Sequence, residues 1–592
     1  MHNPGQFYTR KLELFSAEFN RLKSKLKWFG WYRFLSFVFI LLPFFILGFT
    51  WLSGALGLVF FALFLFLLKV NVKLERSRNK AAILKKLAED ELAALEHSFL
   101  HFADGTEFQD AEHFYSYDLD LFGKGSLFQY LNRTATLGGK RKLADWLTHP
   151  LMSDSEIRQR QNGVREMATL IDWRLDFLAE GKSFEETDQM SSELRSWAEM
   201  DLQLKDPGKV KGLIILMPVL TLAALIPGLL GVTYFWFSFM VLAQWFLMYF
   251  FWKRITLYNK FFGRKSELLS KYMELLKRIE DGGFQSEHMI RLQEKVKNPS
   301  AGSAFIQLKK LVRQFEYRNN IIVGLVLNST FLWDISCVYR LWKWHNKHRH
   351  ELANWLDVVA ETDALISLGN YACNQPDHVF PEVETSDFVF NARDLGHPLL
   401  SPEKVVRNDL QIGGYSKVLI VTGANMAGKS TFLRTVGVNL LLAEIGAPVC
   451  ASSMQFTPID LYTNMRTTDS LLKDESYFFA ELKRIKTVLD RLQNGERYFV
   501  ILDEMLKGTN SIDKLNGSKE LIRKLVQLNG VAMIATHDLK LSEMQEEYSG
   551  KVENKCFEIR IEDNEMVFDY KLSDGVTQTM NATFLMKKMG II

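Results

Sequence analysis

Cysteine is scarce in this sequence, with four in 592 residues, and no two of them stand in C-x-x-C spacing. Cys337, Cys373, Cys450 and Cys556 therefore suggest neither a disulfide framework nor a zinc site, and a reducing compartment fits the soluble parts. A dominant charge sign is also missing. The 72 basic and 69 acidic residues leave +3, which argues against a dedicated, strongly basic nucleic-acid protein but leaves room for a local basic face. No low-complexity tract or short-period repeat appears, and proline is thin in the helical stretches. The length is too great for one core, so roughly two to four domains are expected.

Charge is most conspicuously absent from two long blocks. Residues 34–68 hold no charged side chain, and Pro43, Gly48, Ser53, Gly54 and Gly57 cluster near their middle. Residues 212–252 repeat the pattern, with Pro227, Gly228 and Gly231 near the centre. A span needs about 20 apolar residues, so each block reads as a transmembrane hairpin rather than one helix. Lysines and arginines flank both blocks on both sides, which places both chain ends and everything between the hairpins on the cytoplasmic side of a bacterial-type inner membrane. Even crossings also keep residues 111–170 and 255–370 on one side. A cleaved signal peptide fits poorly, because the apolar run is too long and no A-x-A site follows.

Residues 1–33, basic with interleaved apolar positions, read as an amphipathic lead-in at the membrane surface. Residues 69–110 read as a linker helix. A third apolar stretch, 321–338, contains Asn328, Ser329, Thr330 and Asp334 and is expected to be a buried helix of a soluble bundle, given the cost of an aspartate in lipid. The basic, aromatic YRLWKWHNKHRH at 339–350 is expected to be a solvated helix face, with contact to nucleic acid or lipid headgroups as the alternative. Residues 73–101, 156–178 and 265–314 show apolar positions at three- and four-residue intervals and read as helices. The prolines of NQPDHVFPEVETS at 374–386 mark a domain boundary, beyond which β-branched runs alternate with helices as in an α/β domain.

That last region contains the densest chemistry. In KVLIVTGANMAGKSTFLR, 417–434, a buried-strand run leads into Gly423, Gly428, Lys429 and Ser430, which satisfy G-x-x-x-x-G-K-[ST]. In such a loop backbone N–H groups wrap phosphates, the lysine reaches the β/γ oxygens and the hydroxyl ligates Mg2+. Met426 and Thr431, inside the same segment, join the candidate nucleotide-binding set. Downstream, YFVILDE at 498–504 is an apolar strand ending in acids, so Asp503 is expected to hold Mg2+ with Ser430, and Glu504 to act as general base. VAMIAT at 531–536 delivers His537 to the same sheet edge, where a γ-phosphate contact is expected. Lys429, Glu504 and His537 are thus the candidate catalytic residues, and ATP with Mg2+ the expected cofactors.

These residues resemble the MutS family of DNA mismatch repair ATPases, within the ABC-type P-loop class. The resemblance rests on TGANMAGKSTFLR at 422–434, LLLAEIGAPVCA at 440–451, ILDEMLKGTN at 501–510 and ATHDLKL at 535–541. GHPLL at 396–400 and YKLSDGV at 570–576 are similar to its flanking motifs, and 126–151 with 157–167 to its helical core or lever domain. The resemblance implies a homodimer in which each nucleotide is sandwiched between the P-loop of one subunit and a helix start of the other. DSLLKDESYFFAEL at 469–482 is similar to that trans-acting segment, with Ser476 the candidate γ-phosphate contact, and Asn425, which matches the family's phosphate-loop asparagine, is implied to contact nucleotide or the attacking water. It also implies DNA as partner. Ala424 and Ala427 stand where the family usually has proline and glycine, and Leu506-Lys507 replace a glycine-arginine pair. The family's mismatch-reading N-terminal domain has no counterpart in the first hundred residues. PGQFYT near the start echoes its wedge motif only by chance, with Thr9 at the glutamate position.

The expected architecture is therefore multidomain. An all-α lever/core region at 111–380 is interrupted by the second hairpin, and an α/β P-loop domain occupies 385–592. The expected function is a membrane-anchored, dimeric MutS-like ATPase coupled to DNA. The alternative is a membrane transport or remodelling ATPase using the same engine without DNA, against which neither hairpin offers an ionisable residue on a substrate path.

Overall fold

A computed structural model describes residues 3–201, 204, 206–263, 265–466, 477–506, 509–562 and 565–578. Helix α1 (Pro4–Leu47) starts on Asn3, whose side chain accepts from the N–H groups of Gly5 and Gln6, and runs unbroken through the charged lead and the first apolar block. Gly48, at φ 64°, turns the chain, and Thr50 with Ser53 forms a capping box that starts α2 (Trp51–Leu95). The first hairpin is thus two long helices whose outer halves are the expected lead-in and linker.

The lead-in differs from a surface helix. Tyr8 is fully buried, with its hydroxyl 3.3 Å from Asn370 Oδ1, an atom that also accepts from Arg174 at 3.1 Å. Lys11 pairs with Asp172 at 2.5 Å, and Lys80 on the returning helix reaches Asp176 and Glu180 at 2.9 Å each. Both legs of the hairpin are therefore fastened to the helical region. The aromatic pair near the chain start is a packing element, as its poor match to a wedge motif suggests.

The helical region continues with α3 (Leu127–Leu131), α4 (Leu137–Thr148), α5 (Asp154–Thr169), α6 (Ile171–Gly181) and α7 (Asp188–Glu199). Then come α8 (Pro207–Leu229) and α9 (Phe235–Phe262), the second hairpin, followed by α10 (Ser266–Glu280), α11 (Glu287–Lys297), α12 (Ala301–Glu316), α13 (Ile321–Phe331) and α14 (Trp333–Asn374). Helix α14 is the spine against which α4, α5 and α12 pack. A buried ion pair, Arg133 Nε to Glu91 Oε1 at 2.6 Å, with Asn374 donating to the other Glu91 oxygen at 2.8 Å, ties α2 to the end of that spine.

Among the described residues, α1, α2, α8 and α9 are each long and apolar enough to cross a membrane. Two expectations need correction beside them. The 321–338 stretch is not one buried helix. It breaks by 82° at Leu332, and its first half, α13, is exposed, with Ile321 84% and Ile322 76% accessible. The aspartate does stay protected, but in the second half, where Asp334 is buried and lies 3.5 Å from Arg318. The 339–350 stretch is not simply a solvated face, because Leu341, Trp344, His345 and His348 form its buried side and Trp344 stacks on Trp197. Basic residues interleaved along that stretch mask an apolar stripe.

The helical region gives way at Asn374 to an α/β region with two sheets. The smaller one contains β1 (Glu382–Val383), β2 (Val389–Leu395), β3 (Asn408–Gly413) and β5 (Ser453–Phe456), in the order β1-β5-β2-β3. The larger contains β4 (Val418–Gly423), β6 (Asp460–Asn464), β7 (Tyr498–Asp503), β8 (Val531–Thr536), β9 (Val552–Glu562) and β10 (Glu565–Asp574), in the order β10-β9-β4-β8-β7-β6. Only β10 is antiparallel there. Alternate residues of the central strands feed two cores. Leu419, Val421, Phe499 and Ile501 join the core shared with α15 (Lys429–Glu444) and the helical region. Val418, Ile420, Val500 and Leu502 pack with α16 (Tyr477–Gln493) and α17 (Ser511–Gln527). The site therefore sits on strands covered on both faces.

Candidate functional site

The parallel strands β4, β7 and β8 end side by side, and each ends in one of the polar groups expected from sequence. The loop after β4 runs into α15, whose first residue is Lys429. Gly428 precedes it at φ 101°, and a Cβ there would stand 3.0 Å from the Tyr570 ring, so both backbone and space call for glycine. Ala424 and Ala427, the departures from the family pattern, are buried small residues inside the loop.

Lys429 Nζ donates to the carbonyls of Gly423 and Ala424 at 2.7 and 2.9 Å, and both ring nitrogens of His537 lie within 3.5 Å of it. Burial pushes its ammonium down to about 8, against the opposing pull of Asp503 and Glu504. Asp503 closes β7, and Glu504 follows at φ 54°, with its N–H donating to Ala535 O at 3.0 Å. That turn aims the Glu504 carboxylate at His537, with Oε1 to Nε2 2.7 Å.

The three strand ends enclose a cavity of about 420 Å³, lined by Asn425, Met426, Gly428, Lys429, Ser430, Thr431, Asp503, Glu504 and His537. Every expected site residue among these is thus in one place. Gly423 sits at the end of β4, held to the lysine through its carbonyl. Ser476 lies outside the described residues, and so does Lys507. Leu506, its neighbour, is held by its N–H donating to Glu481 Oε1 at 2.7 Å.

The cavity fits a polyphosphate with a divalent cation by its donor set: the N-terminus of α15, a buried lysine, a hydroxyl and two carboxylates. His397, Leu400, Lys404 and Asn408, from one stretch, and Tyr570, far from it in sequence, also line the cavity. Burial, reinforced by Arg434, pushes His397 down to about 4, so it is neutral at pH 7. Asn408 bridges to the last strand, donating to Tyr570 O at 3.1 Å and accepting from Leu572 N–H at 2.8 Å. GHPLL and YKLSDGV flag two of these segments, but only the fold joins them.

A second feature escaped sequence reasoning altogether. Asp118, buried in the loop before α3, accepts from the backbone N–H of Arg466 and from Thr463 Oγ1, each at 2.8 Å. Arg434, on the same helix as Lys429, donates to Asp118 O at 3.0 Å, and Asp120 pairs with Arg466 at 2.7 Å. The loop therefore links α15 and the strand β6 edge to the helical region.

The fold defines a multidomain, helix-rich chain ending in an α/β region whose strand ends converge on a glycine-loop cavity. Family models agree with both parts: MutS domain III matches residues 111–227 and MutS domain V matches 419–587. The chain belongs to the MutS family. It is similar to MutS protein homolog 4 of Mus musculus, 28% identical over 295 residues, which is 47% of this chain and 30% of that protein. The DNA mismatch repair protein MutS of Thermotoga maritima is 28% identical over 250 residues, 41% of this chain and 30% of its own length. The DNA mismatch repair protein MSH3 of Phaeosphaeria nodorum is 30% identical over 236 residues, 38% and 21% of the two chains. The chain thus spans less than a third of the length of these relatives.

Proposed function

We propose that this chain is a membrane-anchored MutS-like ATPase that binds and hydrolyses Mg2+-ATP in a site completed by a second copy and couples that cycle to DNA. The convergence of Lys429, Ser430, Asp503, Glu504 and His537 on one cavity carries the reading. Lys429 and the first N–H groups of α15 would hold the phosphates, Ser430 and Asp503 the Mg2+, which supplies charge neutralisation on the phosphate oxygens. Glu504, oriented by His537, is the base that takes a proton from water. DNA is supported by relatives that are DNA mismatch repair proteins, and the second copy by the resemblance of 469–482 to a trans-acting segment.

Anchoring is supported by the surface of the two hairpins, where Phe45, Phe49, Trp51, Leu58, Leu242 and Tyr249 are all largely exposed. Ion pairs fasten α1 and α2 to the same helix, α6, so the hairpin leaves and returns on one side of the membrane. The basic flanks support the cytoplasm of a bacterial-type inner membrane as that side, with the α/β region on it. Detergent-purified protein should hydrolyse ATP, and Glu504→Gln should retain nucleotide while turnover stops. Persistent turnover in that variant would overturn the base assignment. DNA coupling requires binding or rate stimulation by matched, mismatched or branched DNA that weakens with salt. No effect at low salt removes DNA from the reading.

A further inference from the structure

Resting on the anchoring just described, we propose that α13 is a further membrane element, a half-depth helix seated in the acyl chains and pinned to the second hairpin by Gln244. The helix, IIVGLVLNSTF, carries no charge. Ile321, Ile322, Leu325, Val326 and Phe331 are exposed around it, and only Gly324 and Asn328 are buried. A helix on a soluble bundle turns one apolar stripe inward, whereas this one leaves its apolar residues outside. That surface continues into the exposed apolar face of α9, at Phe239, Leu242 and Phe246. Such continuity selects lipid as the occupant.

Length excludes a crossing. Eleven residues rise about 16 Å, roughly half of a hydrocarbon core. After the 82° break, α14 buries Ile335, Val338 and Leu341 in the helical core, so the chain returns to the side it came from.

The break is closed in the way lipid demands. In hydrocarbon every backbone group freed by a bend needs a protein partner, since no water is at hand. Gln244, fully buried in α9, accepts from Leu332 N–H at 3.1 Å and donates to Thr330 O at 3.2 Å and to Thr221 Oγ1 at 2.5 Å. Asn328 accepts from Asp334 N–H at 2.9 Å, and Ser329 Oγ accepts from Trp245 Nε1 at 3.1 Å. Gln244 lies roughly 14 Å along α9 from Lys253, and Thr221 about 15 Å along α8 from Lys211, so the seam sits near half depth.

The test uses the full chain in phosphatidylcholine vesicles bearing an acyl-chain diazirine, with a water-soluble carbene reagent in parallel and labels mapped by peptide mass spectrometry. Residues 321–331 should take up lipid label within about twofold of residues 235–252, as an element in the same apolar phase must. If 235–252 is labelled from lipid and 321–331 from water, α13 is not in the membrane and the proposal falls alone. If both are labelled from water, the anchoring itself falls. Gln244→Leu keeps α9 apolar but strips the seam, and should raise amide exchange at Leu332 by roughly tenfold with labelling of 235–252 unchanged. Unchanged exchange would overturn the pin.

Discussion

The central sheet and the hairpins are both written in long apolar runs, and the molecule treats them in opposite ways. Ile420 and Ile534 in β4 and β8 are fully buried, while Phe45 and Phe49 in the first hairpin are 85% and 96% exposed. Strands of six residues hide behind helices on both faces, and helices of more than 40 residues present their side chains outward. The polar groups follow the same division. Around the sheet they collect at the strand ends and face a cavity, whereas in the second hairpin Gln244 and Thr221 turn inward and bond to each other. Apolar runs of like hydropathy thus serve one region as a frame for chemistry and the other as an outer surface.

The largest effect that separates the two regions should come from removing the buried cation. Lys429→Ala takes away the buried ammonium beside the glycine loop, and hydrolysis should fall about 100- to 1,000-fold, as for loss of one oriented group that stabilises transition-state charge. Membrane association in a flotation assay should be untouched. Co-loss of flotation would mean that cavity and hairpins are not separable.

Next comes a matched pair of truncations. Ile534→Ala leaves a void between packed layers and should cost about 2–5 kcal/mol in denaturant unfolding of the detergent-solubilised protein. Phe49→Ala, on an exposed turn, should stay within about 0.5 kcal/mol. Equal losses would show that the hairpin tip is packed against protein, and the comparison would fail.

How well each region could be read from sequence follows from how local its determinants are. The loop 423–430, the acids at 503–504 and His537 were legible because each is a strand with the polar group at its end, and parallel strands bring such ends together. The two hairpins were legible from length and absence of charge. Asp118 was not, because its partners Thr463 and Arg466 lie hundreds of residues away and no local pattern marks a loop aspartate as a bridge. Tyr8 was hidden by the basic residues around it. The α13 stretch misled through Asp334, whose charge suggested a buried soluble helix, although the break at Leu332 assigns that aspartate to the next helix. The trans-acting segment with Ser476 stands on resemblance alone.

The smallest effect is a pH dependence confined to the cavity. Burial sets the Lys429 pKa at about 8, below that of an ordinary lysine. Below pH 8 the ammonium is present in both folded and unfolded chains, and its desolvation opposes folding in full. Above about pH 8 the folded chain sheds the proton first, the penalty lifts, and stability rises until the unfolded lysine also titrates near pH 10. Phosphate binding runs the other way, because it needs the cation. Nucleotide affinity should therefore fall above pH 8, by at most about tenfold per unit, with proton uptake on binding. Lys429→Arg keeps the charge throughout this range and should flatten the profile whatever its affinity at pH 7. Titration of a fluorescent nucleotide between pH 7 and 9.5 makes the comparison. A fall of equal slope in both proteins would assign the dependence to another group, and a flat profile in both would mean that the ammonium is not what the phosphates meet.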